Sequence, residues 1–176
     1  MNNVEDSLNS FGKYIVQQSK SNLTRKGHKD TSILYNSINY DLKVSKKNNF
    51  ELTINMEEYG EYLDKGVKGK LSNKKAPKSP YKFGTGTGRK GGLTESIQGW
   101  VQRKRLQWRK PNGQFTTYKE TAYTIARSIY LKGLETTNFL TTPFERAFKR
   151  LPDEIVEAYA LDMDKLFETT KKNARI

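Results

Sequence analysis

The sequence predicts an α+β protein: an N-terminal amphipathic helix, a small antiparallel sheet built on one β-hairpin, a helical C-terminal half and a long basic, glycine-rich loop. Three observations carry this. Apolar residues recur first at helical spacing, then alternate along residues 38–55, then return to helical spacing from residue 93 onward. Between the last two regimes lies a stretch, 65–92, with neither period. At 176 residues the chain has the size of a single domain, 1–176, with 65–92 as an insertion.

Val4, Leu8, Phe11, Ile15 and Leu23 form one stripe on a helix over 4–23, with Glu5 and Asp6 suited to its first turn and Gly27 ending it. In "INYDLKVSKKNNFELTIN", 38–55, the apolar positions Ile38, Tyr40, Leu42 and Val44 alternate, as do Phe50, Leu52 and Ile54. With "SKKNN" between them, they read as a hairpin. "MEEYGEYLDKG" is then a short helical turn closing at Gly66. Beyond 65–92, a helix over 93–108 has Leu93, Ile97, Trp100, Val101 and Trp108 as its apolar side. A turn at "KPNGQF" leads to a helix over 118–132, lined by Tyr118, Ala122, Ile125, Ala126 and Ile129 and capped by Gly133. "LETTNFLTTPFERAF" reads as partly extended, with Thr142 as N-cap and Pro143 in a first helical turn. The last helix, from Pro152 to about residue 168, has Ile155, Val156, Tyr159, Met163, Leu166 and Phe167 in register.

Composition narrows the function classes. The apolar share is 34% and the mean hydropathy −0.86, so surface is abundant relative to core. That suits an elongated protein, one with long loops, or one that shares a core with its neighbours. There is no cysteine, hence no disulfide framework and no thiolate chemistry. No apolar run approaches the roughly 18 residues a membrane span needs, and "MNNVEDSLNS" lacks the pattern of a signal peptide. The expectation is a soluble product that stays in the compartment where it is made.

The formal net charge is +13, and nine Lys or Arg fall between Lys65 and Thr94 without one Asp or Glu. Lys65, Lys68, Lys70, Lys74, Lys75, Lys78, Lys82, Arg89 and Lys90 are therefore candidates to meet a polyanion, either nucleic acid or an acidic protein face. A second cluster, "RKRLQWRK", adds Arg103, Lys104, Arg105, Trp108 and Arg109. Like charges in a block repel, so 65–92 reads either as a solvated, mobile loop or as a surface for a polyanion, and in an assembly it is expected to take up order only against its partner. Within it, Gly86, Gly88 and Gly91 have the spacing G-x-G-x-x-G. That spacing cradles a pyrophosphate only when a strand feeds it, and "KGVKGKLSNKKAPKSPYK" before it is no strand.

The residues offer no catalytic constellation. His28 is the sole histidine and sits in a loop, so neither a histidine–thiolate zinc site nor a Ser-His-Asp triad is expected. "PDEIVEAYALDMDK" has a Pro-Asp and a later Lys165, but Met163 stands where a P-D…[DE]-x-K nuclease needs a carboxylate. The expectation is a protein that is not an enzyme, with no cofactor, metal or small-molecule substrate.

Three stretches point to a family. "DTSILYNSI", Asp30–Ile38, resembles a T-G-x-L-x-x-S-I signature preceding a hairpin, through Thr31, Leu34, Ser37 and Ile38, with Ser32 where the signature has glycine. "YGEYLDKGV", Tyr59–Val67, is similar to a Y-A-x-Y-V-E-x-G-T signature following it, through Tyr59, Tyr62 and Gly66, with Asp64-Lys65 for Glu-x and Val67 for Thr. "NFLTTPFERAF", Asn138–Phe148, is like P-F-L-x-P-A-F leading into a last helix, through Phe139, Pro143 and Phe144, with the proline shifted. In this order behind an amphipathic helix, they resemble the neck or tail-completion proteins of tailed bacteriophages, which join the DNA-filled head to the tail. The basic insertion and the helix behind it lie outside the usual short pattern.

The resemblance implies a structural virion protein, assembled in the bacterial host cytoplasm into a ring of about six or twelve copies around the DNA channel. Its partners would be further copies of itself, an adjoining portal or head-closure ring, a tail-terminator or tail-tube ring, and DNA in the channel. It implies no membrane. On the residues alone a second reading stands beside it: an independent nucleic-acid-binding protein that uses the basic loop and "WVQRKRLQWRK". The two tyrosines of the second stretch are expected to pack back as a buried corner. Phe139, Leu140 and Phe144 are expected to pin the last helix.

Overall fold

A computed structural model describes residues 2–27, 32–45, 49–86 and 92–173. Over these the protein is α+β, with seven helices and two small antiparallel sheets. The chain divides into two compact units: Met1–Glu57 with Asn138–Ile176, and Glu58–Thr137 between them. The inserted unit thus extends well beyond the loop 65–92.

The first unit is built around α1 (Asn2–Arg25), against which β1 (Asn39–Val44), β2 (Phe50–Asn55), α6 (Thr141–Phe148) and α7 (Leu151–Asn173) pack. The stripe of α1 is buried as its spacing requires: Val4, Phe11, Ile15 and Leu23 face inward. The hairpin pairs Asn39 with Asn55 through to Val44 with Phe50. Tyr40, Leu42, Leu52 and Ile54 sit half-buried, while Asp41, Lys43, Glu51 and Thr53 face water, the alternation of a sheet covered on one side. Leu52 and Ile54 close over a core of Phe11, Ile15 and Ala147. Ile15, Leu23 and Phe139 are fully buried, each contributing about 1.5–3 kcal/mol of hydrophobic stabilisation. At its far end α1 is capped from a distance. The Asp162 carboxylate of α7 accepts the backbone N–H groups of Asn3 and Val4, each at 3.2 Å. Burial pushes the Asp162 carboxyl up, but those two donors together with nearby positive charge, the Lys165 ammonium included, bring its pKa below the ordinary value.

Two C-terminal expectations change. A helical turn already begins at Asn138, whose carbonyl accepts the Thr142 N–H at 3.2 Å. Leu140 therefore becomes the N-cap in place of Thr142, and Pro143 is the third helical residue. It is still within the first turn, where a missing N–H leaves no intrahelical bond unmade. On α7, Leu151, Ile155, Ala158 and Asp162 turn inward, whereas Val156, Tyr159, Leu166 and Phe167 are exposed. Of the six residues expected in apolar register, only Ile155 and Met163 are half-buried, and the other four are not covered by the described residues.

The second unit holds α3 (Tyr59–Lys65), β3 (Val67–Lys68), α4 (Gly92–Lys104), α5 (Tyr118–Lys132) and β4 (Gly133–Leu134). α4 and α5 pack together, with Val101, Ala122 and Ala126 buried. α5 starts with a capping box, Thr117 accepting from the Glu120 N–H and Glu120 accepting from that of Thr117. α4 stops at Lys104, four residues short of the expected end. Arg105 takes a left-handed φ of 52°, and its N–H and that of Leu106 return to the carbonyls of Gln102 and Val101, the geometry that closes a helix. The chain is thereby released to form a hairpin at 108–116, in place of the simple turn expected at "KPNGQF".

Residues 65–86 also differ from expectation. They form a long basic connection, as foreseen, yet they are tied down without any partner. β3 pairs antiparallel with β4, Val67 opposite Leu134 and Lys68 opposite Gly133. The N–H groups of Lys70 and Leu71 donate to the carbonyls of Tyr130 (2.9 Å) and Leu131 (3.1 Å), and that of Thr136 to Lys75 (3.2 Å). The Ser79 hydroxyl donates to the Gly66 carbonyl at 2.7 Å, and Ala76 is fully buried. Non-local backbone bonds supply the order that composition could not.

Candidate functional site

Lysines of the basic connection are held by this framework and point outward from it. Lys65, Lys70, Lys74, Lys75, Lys78 and Lys82 are exposed, and Lys68 is half-buried. β-bridging brings Lys68 beside Lys82. The Lys70 ammonium lies 6.0 Å from the centre of the Tyr130 ring, and Phe83 packs on that ring at 5.9 Å. Lys65 is engaged by Glu61: the contact lowers the Glu61 pKa and raises that of Lys65. Arg89 and Lys90, with Gly88 and Gly91 of the glycine pattern, lie outside the described residues, as do His28 and Thr31.

The second cluster ends α4 and enters the hairpin. Arg103, Lys104, Arg105, Trp108 and Arg109 are all exposed; Trp108, which the sequence offers both to the apolar side of its helix and to a partner, is 47% exposed because that helix has ended. The hairpin turns through Lys110–Gly113, with the Gly113 N–H donating to Lys110 (2.9 Å) and the Lys110 N–H to Gln114 (2.7 Å). Pro111 and Asn112 occupy the turn, and Gly113 has the positive φ of 84° that ends such three-residue connections.

Side chains alternate across the hairpin. Thr116 bonds the Trp108 N–H (2.9 Å) and the buried Thr121 hydroxyl (2.7 Å), and Lys110 bonds Glu120 at 2.9 Å. Those contacts pin one face to the start of α5. The Thr117 backbone N–H first, and the Lys110 ammonium next, hold the Glu120 carboxyl down to about 2. On the other face, Arg109 stands opposite Phe115. Its guanidinium is 5.8 Å from the ring centre, and its Nε donates to the Gly113 carbonyl at 3.2 Å. Phe115 is 62% exposed. In the sequence Phe115 reads only as part of a turn. The signal that could have found it is "WRKPNGQF", whose Pro-Asn-Gly centre specifies a hairpin with alternating faces.

The division into units sorts the charge. Glu58–Thr137 holds 17 Lys or Arg against 6 Asp or Glu, a net +11. The rest of the chain holds 15 against 13, a net +2. Nearly the whole positive excess therefore belongs to the inserted unit.

The family-pattern residues have clear structural roles where they are described. Leu34 and Ile38 are buried. The Ser37 hydroxyl donates to the Leu34 carbonyl and accepts the Glu57 N–H, both at 3.0 Å, joining α2 (Ile33–Ser37) to the exit of β2. Ser32, where the signature has glycine, adopts a φ of 58°, and Gly66 a φ of 70°. Gly60 is buried on α3. Tyr59 and Tyr62, expected as a buried corner, are 46% and 40% exposed. In so short a helix Gly60 and Asp64 take the inward positions, and Tyr62 instead meets the Tyr81 ring edge-on at 4.6 Å. Phe139 is fully buried and Pro143 buried. Phe144 touches Phe11 edge-on, stacks on Phe148, and stays partly exposed.

Among the described residues no three His, Cys, Asp or Glu side chains are grouped to hold a metal ion, and no helix is long and apolar enough to cross a membrane. No family model, curated protein or solved structure matches this chain.

Proposed function

We propose that the chain is a structural subunit of the head–tail connector of a tailed bacteriophage, a neck or tail-completion protein. It closes with copies of itself into a ring and joins the ring on the head side to that on the tail side, with DNA passing through the centre. The observation that carries the reading is conformational. The two signature positions that call for glycine, 32 and 66, both have positive φ, 58° and 70°, although one of them is a serine. A left-handed backbone is the physical reason a pattern would demand glycine there.

Two further features support an assembly role. The row on α7, led by Val156 at 70% exposure, is larger than an isolated surface residue and suits burial by a neighbouring subunit. The concentration of charge in the inserted unit suits a subunit whose one part packs and whose other part faces a polyanion. Quantitative mass spectrometry of purified phage particles tests the proposal. The expected result is about six or twelve copies per particle. Absence from particles, or abundance on the scale of a capsid protein, would overturn it, absence favouring the independent nucleic-acid-binding reading.

A further inference from the structure

We infer that the end of α4 and the hairpin that follows it, residues 103–116, form a nucleic-acid-binding element in which Arg105 and Arg109 hold backbone phosphates and Phe115 offers its ring to a base or sugar. The inference rests on the geometry and charge of this element and not on the connector reading.

Three observations converge on it. The first is the Arg109–Phe115 pair, which lies on the hairpin face turned away from α5. The Nε bond to Gly113 and the contact with the Phe115 ring fix the guanidinium before any ligand arrives, so less side-chain freedom is lost on binding. The second is Arg105. It occupies the left-handed position that closes α4, where glycine is the least strained residue. Cations in the last turn complement a helix's carbonyl end, which accounts for Arg103 and Lys104. It does not account for an arginine at the strained position itself. The third is the excess of 17 cations over 6 anions across the unit, charge complementarity on the scale of an extended polyanion. A flat aromatic face beside a fixed guanidinium suits a nucleic acid better than an acidic protein surface, because bases present rings to stack and phosphates present oxygens to bind.

The test uses the full-length protein and fluorescence anisotropy with two labelled probes, a random-sequence duplex of about 24 base pairs and an oligothymidylate strand of about 20 nucleotides, in KCl from about 50 to 300 mM. Wild-type protein should bind at least one probe, with affinity falling linearly on a log–log salt plot. The combined R105G/R109A/F115A variant should bind at least about tenfold more weakly near 100 mM KCl, with a salt slope shallower by about 2, one per lost phosphate contact. A loss confined to the single strand assigns Phe115 to base stacking, and a loss on both assigns the element to the backbone; each supports the inference. Arg105→Gly alone should weaken binding while raising the unfolding temperature, which separates lost contact from lost fold. The inference is overturned if wild-type protein binds neither probe, if the combined variant binds like wild type, or if polyglutamate of matched length competes as well as the oligonucleotides.

Discussion

Gly69→Ala probes whether the basic connection is truly held by its own chain. A Cβ at position 69 would stand 2.2 Å from the Leu131 carbonyl oxygen and 2.5 Å from both the Gly133 nitrogen and the Lys132 carbonyl carbon. All three are backbone atoms, so no side-chain rotation relieves the overlap, and Gly133 is equally blocked against Val67 and Gly69 from its own side. The connection must lift off the end of α5. It then loses the bonds from Lys70 to Tyr130 and from Leu71 to Leu131 together with the β3–β4 pairing. At about 0.5–1.5 kcal/mol for each hydrogen bond, the loss is about 2–4 kcal/mol. In a unit of this size each kcal/mol moves the midpoint by about 4–8 °C, so the variant should unfold roughly 8–30 °C below wild type. The readouts are thermal unfolding by circular dichroism and amide exchange at Lys70 and Leu71. Gly99→Ala is the control: its Cβ would meet only the Arg103 guanidinium, at 3.3 Å, and alanine inside α4 should stabilise by up to about 1 kcal/mol. If Gly69→Ala melts within about 2 °C of wild type and both amides stay protected, the connection is not anchored as described.

Two other expectations concern ends of helices. Thr117→Ala removes the side-chain acceptor of the α5 capping box and should cost about 1 kcal/mol in urea unfolding; an unchanged midpoint would mean that Glu120 alone secures that end. Asp162 titrates lower folded than unfolded, so the unfolded chain takes up the proton first as pH falls. The stability it contributes is therefore complete above about pH 4–5 and fades below that, through the lower folded value. Asp162→Asn cannot titrate, so the wild-type advantage over it should shrink between about pH 5 and 2, and an advantage constant over that range would contradict the capping of α1 by this carboxylate.

The elements that sequence determined by itself are those whose stabilising contacts are local or periodic. The stripe Val4, Phe11, Ile15, Leu23 required α1, because a helix gathers residues three and four apart onto one face whatever covers it. The alternation along 38–55 required a hairpin with one wet face, and α5 begins at Tyr118 and ends at Lys132, where its cap and glycine place it. Tertiary structure alone decided the rest. Periodicity marks Ile155, Val156, Tyr159 and Phe167 alike as apolar, but only the packing of α1 selects which side of α7 is buried. Charge and glycine content make 65–86 read as a loose chain, since the bonds that hold it come from Tyr130, Leu131 and Gly133, distant in sequence and bearing no mark of the pairing. The Arg109–Phe115 face arose in the same way. Whether α4 ran on through Trp108 or stopped at Lys104 turned on anchoring Thr116 and Lys110 to α5. A contact between segments adds its energy only when the fold brings them together, so a reading that works one window at a time cannot weigh it.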